Sequence, residues 1–563
     1  MKTVLTNGNI ISSCETNPRA EALGFEGDKI IYVGTTDGAP TDGTIIDLAG
    51  RTVIPSIVDS HIHPGMVSQS SWHIKLPWTE DVNVLLEFIR DYANAHPKEE
   101  IPFLYFEYYP TSMFDTHGPT KELLDSACDD RPCYCQDFGE HLHWMNSKML
   151  ELLEVDKDTP DPVPGLEMFV RDGEGNPTGW CKEMAWRHFQ DKMFQKIGWT
   201  PPIFMTAELM EPFFEFLTRH GITAIAEGLL EGEDQILAMR ELERQGKMNV
   251  YYDGNVRFWS EQDLPEKIAE LQRYANKYTS RHMKFNTMKL FLDGTNESGN
   301  SASLHPFAND PTETNYGEIK METDELSRCF LLCNRNGLDM HIHMVGDRAF
   351  RTGCDAVEKA KAEAENLGEP WVCQPIFAHC EIVDPADMCR PAELGITVNW
   401  SCHWSGGYFG EVAQEFFGYE KWARMYQFNP IIDSGALVTF SSDVVTFYEL
   451  HRADPFFSIE IANTRIDLEV PLDPEKYPGS IRPPLSARIS LDNLLKGYTI
   501  NGARQLRWSD RLGSLEVGKV ANFNILSANP YEIEQGALHS IYSEKVFFEG
   551  NVIWDAGKDQ KHE

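Results

Sequence analysis

The sequence predicts an α/β fold, a (β/α)8 barrel of the TIM type with a large insertion after strand 1 and a small β-sandwich domain formed by both chain termini. The middle of the chain alternates short apolar segments with helical patterns, which is typical of parallel βα units. Both ends of the chain instead consist of short strand-like segments separated by turns. A chain of 563 residues is long enough for a barrel, an insertion and a satellite domain.

The two chain termini predict the sandwich. Strand-like patterns bounded by turn residues occur near the start, as in 22–25 and 29–34, and near the end, in 520–526 and 545–554. Because these strand-rich termini flank a long α/β middle, we expect residues 1–56 and 480–563 to form one composite β-sandwich domain.

Eight apolar segments between the termini predict the barrel, which we assign to residues 57–479. The active site of such a barrel lies at the carboxyl ends of its parallel strands. The eight candidate strands are Ile54–His63, Gly221–Glu227, Met248–Asp253, Lys284–Leu292, Leu338–His343, Pro375–His379, Ile396–Trp400 and Ala436–Ser441.

The insertion, residues 66–201, is far longer than an ordinary βα loop. It is rich in aromatic residues, among them Trp72, Trp78, Phe103 and Trp144. These rings either cap the barrel mouth and shape the substrate pocket or form the core of the insertion itself. The sequence leaves both interpretations open.

Composition limits the function. Hydrophobic residues make up 42% and charged residues 24% of the chain, as in soluble globular proteins. The formal net charge of −37 argues against binding nucleic acid or an anionic membrane surface, because both are polyanions. No segment approaches the roughly 18 apolar residues that cross a bilayer, and the N-terminus does not resemble a secretory signal. We expect a cytoplasmic protein with a small-molecule substrate.

The segment His61-Ile62-His63 is a candidate metal site. Side chains alternate along a strand, so both imidazoles point to the same face and can bind one divalent cation. A lone His-x-His is also consistent with two buried, hydrogen-bonded histidines.

The ends of other candidate strands make the metal interpretation stronger. Lys289 lies late in the fourth strand, His343 and His379 end the fifth and sixth, and Asp443 follows the eighth. Each alone could be structural, but their joint occurrence at one barrel mouth indicates a metal centre. His341 competes with His343, and we prefer His343 because His341 would lie deeper.

Lys289 is costly to bury as a cation within an apolar strand. Carboxylation of its amine by carbon dioxide would convert it into an anionic oxygen ligand that bridges two metals. An unmodified Lys289 paired with a nearby carboxylate such as Asp293 is the alternative.

These motifs identify a resemblance to the amidohydrolase superfamily, in the branch of YtcJ-like proteins and N-substituted formamide deformylases (amidohydrolase family 3). The resemblance extends nearly end to end. Beyond the residues above, its markers are Asp47 through Pro55, Asp137 through Ser147, Asp158 through Pro162, His343 through Ala349, Ser442-Asp443 and Gly513 through Lys519.

The resemblance implies the barrel with its sandwich and a ligand set. His61, His63 and Asp443 would hold one metal, His343 and His379 a second, and carboxylated Lys289 would bridge them. The expected metal is divalent, most commonly zinc, with one or two ions. A homodimer is the family expectation.

The implied reaction is hydrolysis of a carbon–nitrogen bond that is not a peptide bond. Metal-activated hydroxide would attack an amide-like carbonyl of an N-acyl, formamide or related substrate. Asp443 would transfer the proton to the departing nitrogen, and His141 or His403 would stabilise the oxyanion. The alternatives are a deaminase or lactonase on the same barrel, or a barrel that binds a ligand without catalysis.

The chain departs from the family pattern at four places. Ser56 replaces a usual glycine and Asn522 a usual aspartate, and both changes should affect packing only. Cys380 follows His379, and Trp400-Ser401-Cys402-His403 stands where Gln-Pro-x-His is usual. The last two departures lie near the expected pocket and bear on the substrate.

Overall fold

The structure is a computed structural model that describes residues 2–115, 117–201, 204–407 and 411–559. In chain order, the strands before the insertion are Lys2–Thr6 (β1), Asn9–Ile11 (β2), Arg19–Ala20 (β3), Ala22–Glu26 (β4), Lys29–Gly34 (β5), Thr44–Asp47 (β6), Thr52–Pro55 (β7) and Ile57–Ile62 (β8). The insertion contributes Ile74–Lys75 (β9), Leu104–Tyr109 (β10), Cys133–Asp137 (β11), Leu142–Met145 (β12), Met168–Arg171 (β13) and Pro177–Lys182 (β14). The remaining strands are Ile222–Glu227 (β15), Tyr251–Arg257 (β16), Met283–Phe291 (β17), Asp339–Met344 (β18), Pro375–His379 (β19), Thr397–Ser401 (β20), Leu437–Ser441 (β21), Phe523–Leu526 (β22), Ser543–Phe548 (β23) and Asn551–Asp555 (β24).

Helices connect the strands. They are Pro64–Gln69 (α1), Val82–Ala95 (α2), Lys121–Asp125 (α3), Ser147–Leu153 (α4), Gln190–Ile197 (α5), Ala207–Arg219 (α6), Glu233–Gln245 (α7), Leu264–Tyr278 (α8), Thr323–Arg335 (α9), Asp347–Leu367 (α10), Arg390–Leu394 (α11), Ala413–Trp422 (α12), Asn429–Asp433 (α13), Pro455–Thr464 (α14), Leu491–Lys496 (α15), Gly502–Gln505 (α16) and Ala556–Asp559 (α17). Local signals set their ends: Thr206 caps α6 by accepting a hydrogen bond from the Leu209 amide, and Gly246 ends α7 in the left-handed conformation. Among the described helices, none is both long and apolar enough to cross a membrane.

The predicted barrel is confirmed. Eight parallel strands follow one another in the order β8, β15, β16, β17, β18, β19, β20 and β21. Hydrogen bonds join the two ends of this sheet: the Asp443 amide donates to the His61 carbonyl at 2.8 Å, and the Ser60 hydroxyl donates to the Phe440 carbonyl at 2.8 Å. The carboxyl ends of all eight strands therefore surround one mouth.

Two barrel strands differ by more than one residue at an end from the sequence prediction. The segment predicted as one strand from Ile54 to His63 belongs to two sheets, because β7 pairs with β22 of the sandwich and β8 with β15 of the barrel. The change occurs at Ser56, whose amide donates to the Asn522 carbonyl at 3.2 Å, while the next amide, of Ile57, donates to Gly221 at 2.9 Å. The third strand was predicted over Met248–Asp253, but it begins at Tyr251 and continues to Arg257.

The sandwich contains strands from both chain termini, as predicted. One sheet has the order β5-β4-β1-β6, and the other has the order β24-β23-β22-β7-β2-β3. Phe25 lies between the sheets, 5.7 Å from the ring of Phe523, which in turn stacks on Phe547 at 4.3 Å. Because these buried rings come from opposite ends of the chain, neither terminus has this core without the other.

The insertion forms a sheet of its own, with the order β13-β14-β12-β11-β10-β9. Most of its aromatic side chains pack on this sheet: Phe103, Tyr105 and Trp144 are almost completely buried in its hydrophobic clusters. Phe138 is different, since it lines the cavity at the barrel mouth. The aromatic residues therefore serve mainly as the core of the insertion, and its loops reach the site.

Candidate metal centre and active site

Tight turns after two barrel strands place side chains at the mouth. His379 ends β19 with φ of 75°, Cys380 follows with φ of 44°, and Asp443, just after β21, has φ of 53°. Residues other than glycine adopt this left-handed conformation at a cost of about 1–3 kcal/mol, and they do so most often at functional sites. The turn at Asp443 holds this carboxylate beside the end of the first strand.

Three of the predicted ligands meet at one point. His63 Nε2 lies 3.0 Å and His61 Nε2 lies 3.2 Å from Oδ1 of Asp443. The ligand atoms of the three residues all lie within 4.8 Å of one another. Two imidazole nitrogens and a carboxylate oxygen form a donor set that suits a divalent cation such as zinc.

His343 and His379 adjoin this cluster. His379 Nδ1 lies 3.4 Å from Oδ2 of Asp443, and the ring centroids of His379 and His343 are 4.5 Å apart. His343 lines the cavity, whereas the buried ring of His341 packs edge-on against His61 at 4.6 Å. The structure thus brings both predicted ligands of a second metal next to the first three.

Lys289 is completely buried, and its Nζ has no hydrogen-bond partner among the described residues. The pairing with Asp293, which was the alternative to carboxylation, is not formed. Asp293 instead accepts hydrogen bonds, each 2.9 Å long, from the backbone amides of Ala302, Val345 and Gly346. Burial lowers the pKa of Lys289 to about 7. A substantial fraction of this amine is therefore neutral near pH 7.

The buried histidines are suited to bind a metal. Burial lowers the pKa of His61, His343 and His379 well below the usual value, and neighbouring cationic groups act in the same direction. Neutral imidazoles keep a lone pair for coordination. Within the described residues, His379 Nδ1 and Lys289 Nζ are buried without a hydrogen-bond partner, which ordinarily costs about 1–3 kcal/mol per group. A divalent cation fits this donor set.

His141 reaches the same cavity as a cation. Its Nδ1 lies 2.7 Å from Oε2 of Glu183. Burial by itself would lower the pKa of His141, but the carboxylate of Glu183 and, less strongly, that of Glu297 raise it to about 10. The ring centroid of His141 lies 6.3 Å from that of His343. A protonated imidazole thus stands close to the candidate metal ligands.

His403 also lines the cavity, in a different state. Burial, together with the charges of Arg452 and His451, lowers the pKa of His403 well below its usual value. It is neutral at pH 7 and can donate one N–H. Beside it, Trp404 stacks on His379 with a centroid separation of 5.3 Å.

The family of the chain follows from a comparison with known proteins. Residues 44–554 match the model of the amidohydrolase family. The chain belongs to this family. The strand-end histidines, the buried lysine and the aspartate described above lie within the matched residues.

Curated relatives of this amidohydrolase cover much or nearly all of the chain. The exoenzymes regulatory protein AepA of Pectobacterium carotovorum is 29% identical over 71% of this chain and 85% of its own. The N-substituted formamide deformylase of Arthrobacter pascens is 23% identical over 98% of both chains. The putative amidohydrolase YtcJ of Bacillus subtilis is 22% identical over 99% of this chain and 100% of its own.

Solved structures share the fold. A structure from Pyrococcus horikoshii, described as an uncharacterized metal-dependent hydrolase, has a TM-score of 0.67 at 22% identity and covers 95% of this chain and 99% of its own. A similarly described structure from Pyrococcus furiosus has a TM-score of 0.64 at 24% identity, covering 94% and 100%.

The cavity of this amidohydrolase has a volume of about 540 Å³ and includes residues that the sequence analysis missed. Arg257 lines it because β16 extends four residues beyond its predicted end, and its guanidinium stacks 3.5 Å above the ring of Trp259. The polar alternation Asp253, Asn255, Arg257 was the signal for this extension. The carboxyl groups of Glu140 and Glu449 carry no such local signal.

Proposed function

We propose that this protein is a metal-dependent hydrolase of non-peptide carbon–nitrogen bonds in an N-acyl amine, a formamide or a related small molecule. The convergence of His61 and His63 on Asp443 carries the proposal. Membership in the amidohydrolase family supports it, and so does the full-length similarity to a protein named N-substituted formamide deformylase.

The proposed metal is zinc, bound as one or two ions. His61, His63 and Asp443 would hold the first ion, and His343 and His379 the second. A bound divalent cation lowers the pKa of a coordinated water from about 15.7 towards 7. Lys289 would complete the ligand set if its neutral amine adds carbon dioxide and releases one proton, because the product is an anionic carbamate oxygen.

In the proposed reaction, Asp443 acts as general base and then as general acid. Its carboxylate accepts a proton from the attacking water as the water oxygen bonds to the carbonyl carbon. The carbon–nitrogen bond then breaks, and Asp443 delivers the proton to the departing nitrogen. The products are a carboxylic acid and an amine.

Negative charge on the carbonyl oxygen requires a donor. We assign this role to the His141 cation or to the neutral N–H of His403, which line the same cavity in different protonation states. The pair offers one charged and one neutral donor.

Metal content and a substrate panel test the proposal together. The purified protein should contain stoichiometric divalent metal, lose turnover with a chelator and regain it with zinc. The panel should contain N-formyl amines, N-acyl amines, lactones and aminopurines. Turnover of lactones or aminopurines alone would replace the proposal with a lactonase or a deaminase. A protein without stoichiometric metal and without turnover would be a ligand-binding barrel.

A further inference from the structure

Two carboxyl groups in the cavity wall lack a partner. Glu449 is only 6% exposed and lines the cavity, yet its Oε1 has no hydrogen-bond partner among the described residues. Oε1 of Glu140, which lines the same cavity, is buried and equally without one. The two residues come from different parts of the fold, since Glu140 precedes β12 of the insertion and Glu449 lies in the 3-10 helix Phe447–Ala453 after β21. Only folding therefore brings these two carboxyl groups to the same cavity.

Three other acids of the cavity wall contact a basic side chain. Glu183 lies 2.7 Å from His141, Glu167 2.5 Å from His188, and Glu270 2.9 Å from Lys267. The cations of His141 and Lys267 offset the charges of Glu183 and Glu270.

Most of the charged groups that act on Glu140 and Glu449 are acidic, although Arg187, which lies 3.8 Å from Glu231, also attracts Glu140. Glu107 and Asp137 act on both residues, and Asp443 also acts on Glu140. Arg452 attracts Glu449, but its own charge is matched by Asp467 at 3.1 Å and by Glu469 at 2.9 Å.

Burial and this surplus of acidic groups determine the pKa values of Glu140 and Glu449. Burial raises the pKa of Glu449 to about 8 and that of Glu140 well above its usual value, and Glu449 further raises the pKa of Glu140. Ionised carboxylates buried without partners are unfavourable, whereas a cation beside them would stabilise their ionised form by charge-assisted hydrogen bonds. This part of the wall is thus complementary to positive charge.

We propose that Glu140 and Glu449 bind a positively charged nitrogen of the substrate, an ammonium or guanidinium group, while the bond to be broken lies at the metal ligands. This inference rests on the proposed function, because it concerns the substrate of the same cavity. It makes the substrate class an amide or formamide that carries a second, cationic nitrogen.

Binding of two probes of equal length tests the proposal without turnover. The metal-loaded full-length protein is titrated by calorimetry at pH 7 with pentylammonium chloride and with 1-pentanol. Pentylammonium should bind at least about tenfold more tightly than the alcohol, as expected for a buried ion pair. Equal affinity, or tighter binding of the alcohol, would overturn the proposal even if the protein hydrolyses amides. Conversely, a protein without turnover that shows the preference would keep this site and lose the proposed function.

Variants assign the preference to these residues. Glu449→Gln should reduce the preference for pentylammonium by about tenfold, and Glu140→Gln supplies the same test if the first variant does not fold. Glu270→Gln is the matched control, since it removes one negative charge from a carboxyl of the same wall that has its own lysine. An equal loss in Glu270→Gln would mean that net charge alone attracts the cation, which contradicts the proposed site.

Discussion

Burial controls the chemistry of individual residues at the barrel mouth. The predicted ligands lie where water is scarce, so His61, His343 and His379 are neutral and the amine of Lys289 has a pKa of about 7. Asp443 is the central residue of this group, because it lies within 3.4 Å of His61, His63 and His379. Two predictions follow from these two side chains.

Replacement of Asp443 by Asn should abolish catalysis while preserving the fold. The amide is nearly isosteric but cannot accept a proton, so we expect kcat to fall by about 10²- to 10⁴-fold or more. Steady-state kinetics, circular dichroism and metal analysis of the variant check this result. Asp473→Asn, at an exposed loop position, is the control and should leave kcat unchanged. Activity retained in Asp443→Asn would remove Asp443 from the role of base.

Lys289 should form a carbamate in the metal-loaded protein. Its buried and unpartnered amine is the form that reacts with carbon dioxide. With ¹³C-labelled bicarbonate, NMR should show a carbamate resonance in the wild-type protein that is absent in Lys289→Met. We also expect the variant to bind less metal. Wild-type metal content and activity that persist without a carbamate signal would show that the lysine acts unmodified.

At the scale of elements, the insertion sheet supplies the cationic histidine. Antiparallel pairing of β12 with β14 sets Leu142 opposite Lys182, so His141, just before β12, meets Glu183, just after β14. The motif around His141 could be recognised in the sequence. Its partner could not, because the pairing register of two strands in an insertion is decided by their packing.

Replacement of Glu183 by Gln should lower the pKa of His141 markedly, because the carboxylate that most strongly opposes the effect of burial would be removed. In the wild-type protein the pKa of His141 is raised to about 10. The ion pair therefore contributes its full stability below about pH 6.5 and loses it as the pH rises through about 10.

Two measurements check the prediction on Glu183. The His141 resonance in NMR should titrate near 10 in the wild-type protein and no longer do so in the variant. The difference between the two proteins in the free energy of unfolding, about 1–3 kcal/mol at pH 6, should shrink towards pH 10. Thermal unfolding at both pH values measures this difference. A His141 that still titrates near 10 in Glu183→Gln would assign the shift to other groups.

At the scale of the whole molecule, a partly buried polar contact joins the sandwich to the barrel. Glu549, in the turn between β23 and β24, accepts hydrogen bonds from Tyr251 Oη and Arg281 Nε, both at 2.7 Å. His282 lies 3.1 Å away. These partners lie at the start of barrel strands, on the side away from the mouth. The contact thus supports the barrel without touching its chemistry.

Replacement of Glu549 by Gln should destabilise the protein at neutral pH and leave kcat unchanged. Burial alone would raise the pKa of Glu549, but hydrogen bonds from His282, Tyr251 and Arg281 hold it at about 2. The contribution of ionised Glu549 to the free energy of unfolding is therefore present above about pH 4.5 and is lost as the pH falls towards 2. We expect this contribution to be about 1–3 kcal/mol at pH 7. Thermal unfolding at pH 7 and pH 4 measures it.

The matched control for Glu549 is Glu544→Gln in the same hairpin. Glu544 forms only an exposed contact of 3.5 Å with Arg51, and such surface pairs contribute about 0–1 kcal/mol. Equal destabilisation by both substitutions would contradict a special role for the Glu549 contact.

Local pattern accounts for what could be predicted. The alternation of apolar strands and helices was enough for the barrel, and strand-end position was enough to select His61, His63, His343, His379 and Asp443 as neighbours. The first barrel strand was predicted to begin too early, at Ile54, because the change of sheet at Ser56 depends on which strands lie beside it. The domain boundaries themselves stay predictions.

The sequence by itself determined the fold class, the family and the side chains that surround the candidate metal centre, because these depend on periodicity and on residues at strand ends. Only the tertiary structure decided which charged groups have partners. It separates Lys289 from Asp293, pairs His141 with Glu183, and leaves Oε1 of Glu140 and of Glu449 without a hydrogen-bond partner among the described residues. The physical reason is that burial and Coulomb interactions depend on distances between residues remote in the chain, which no local pattern encodes.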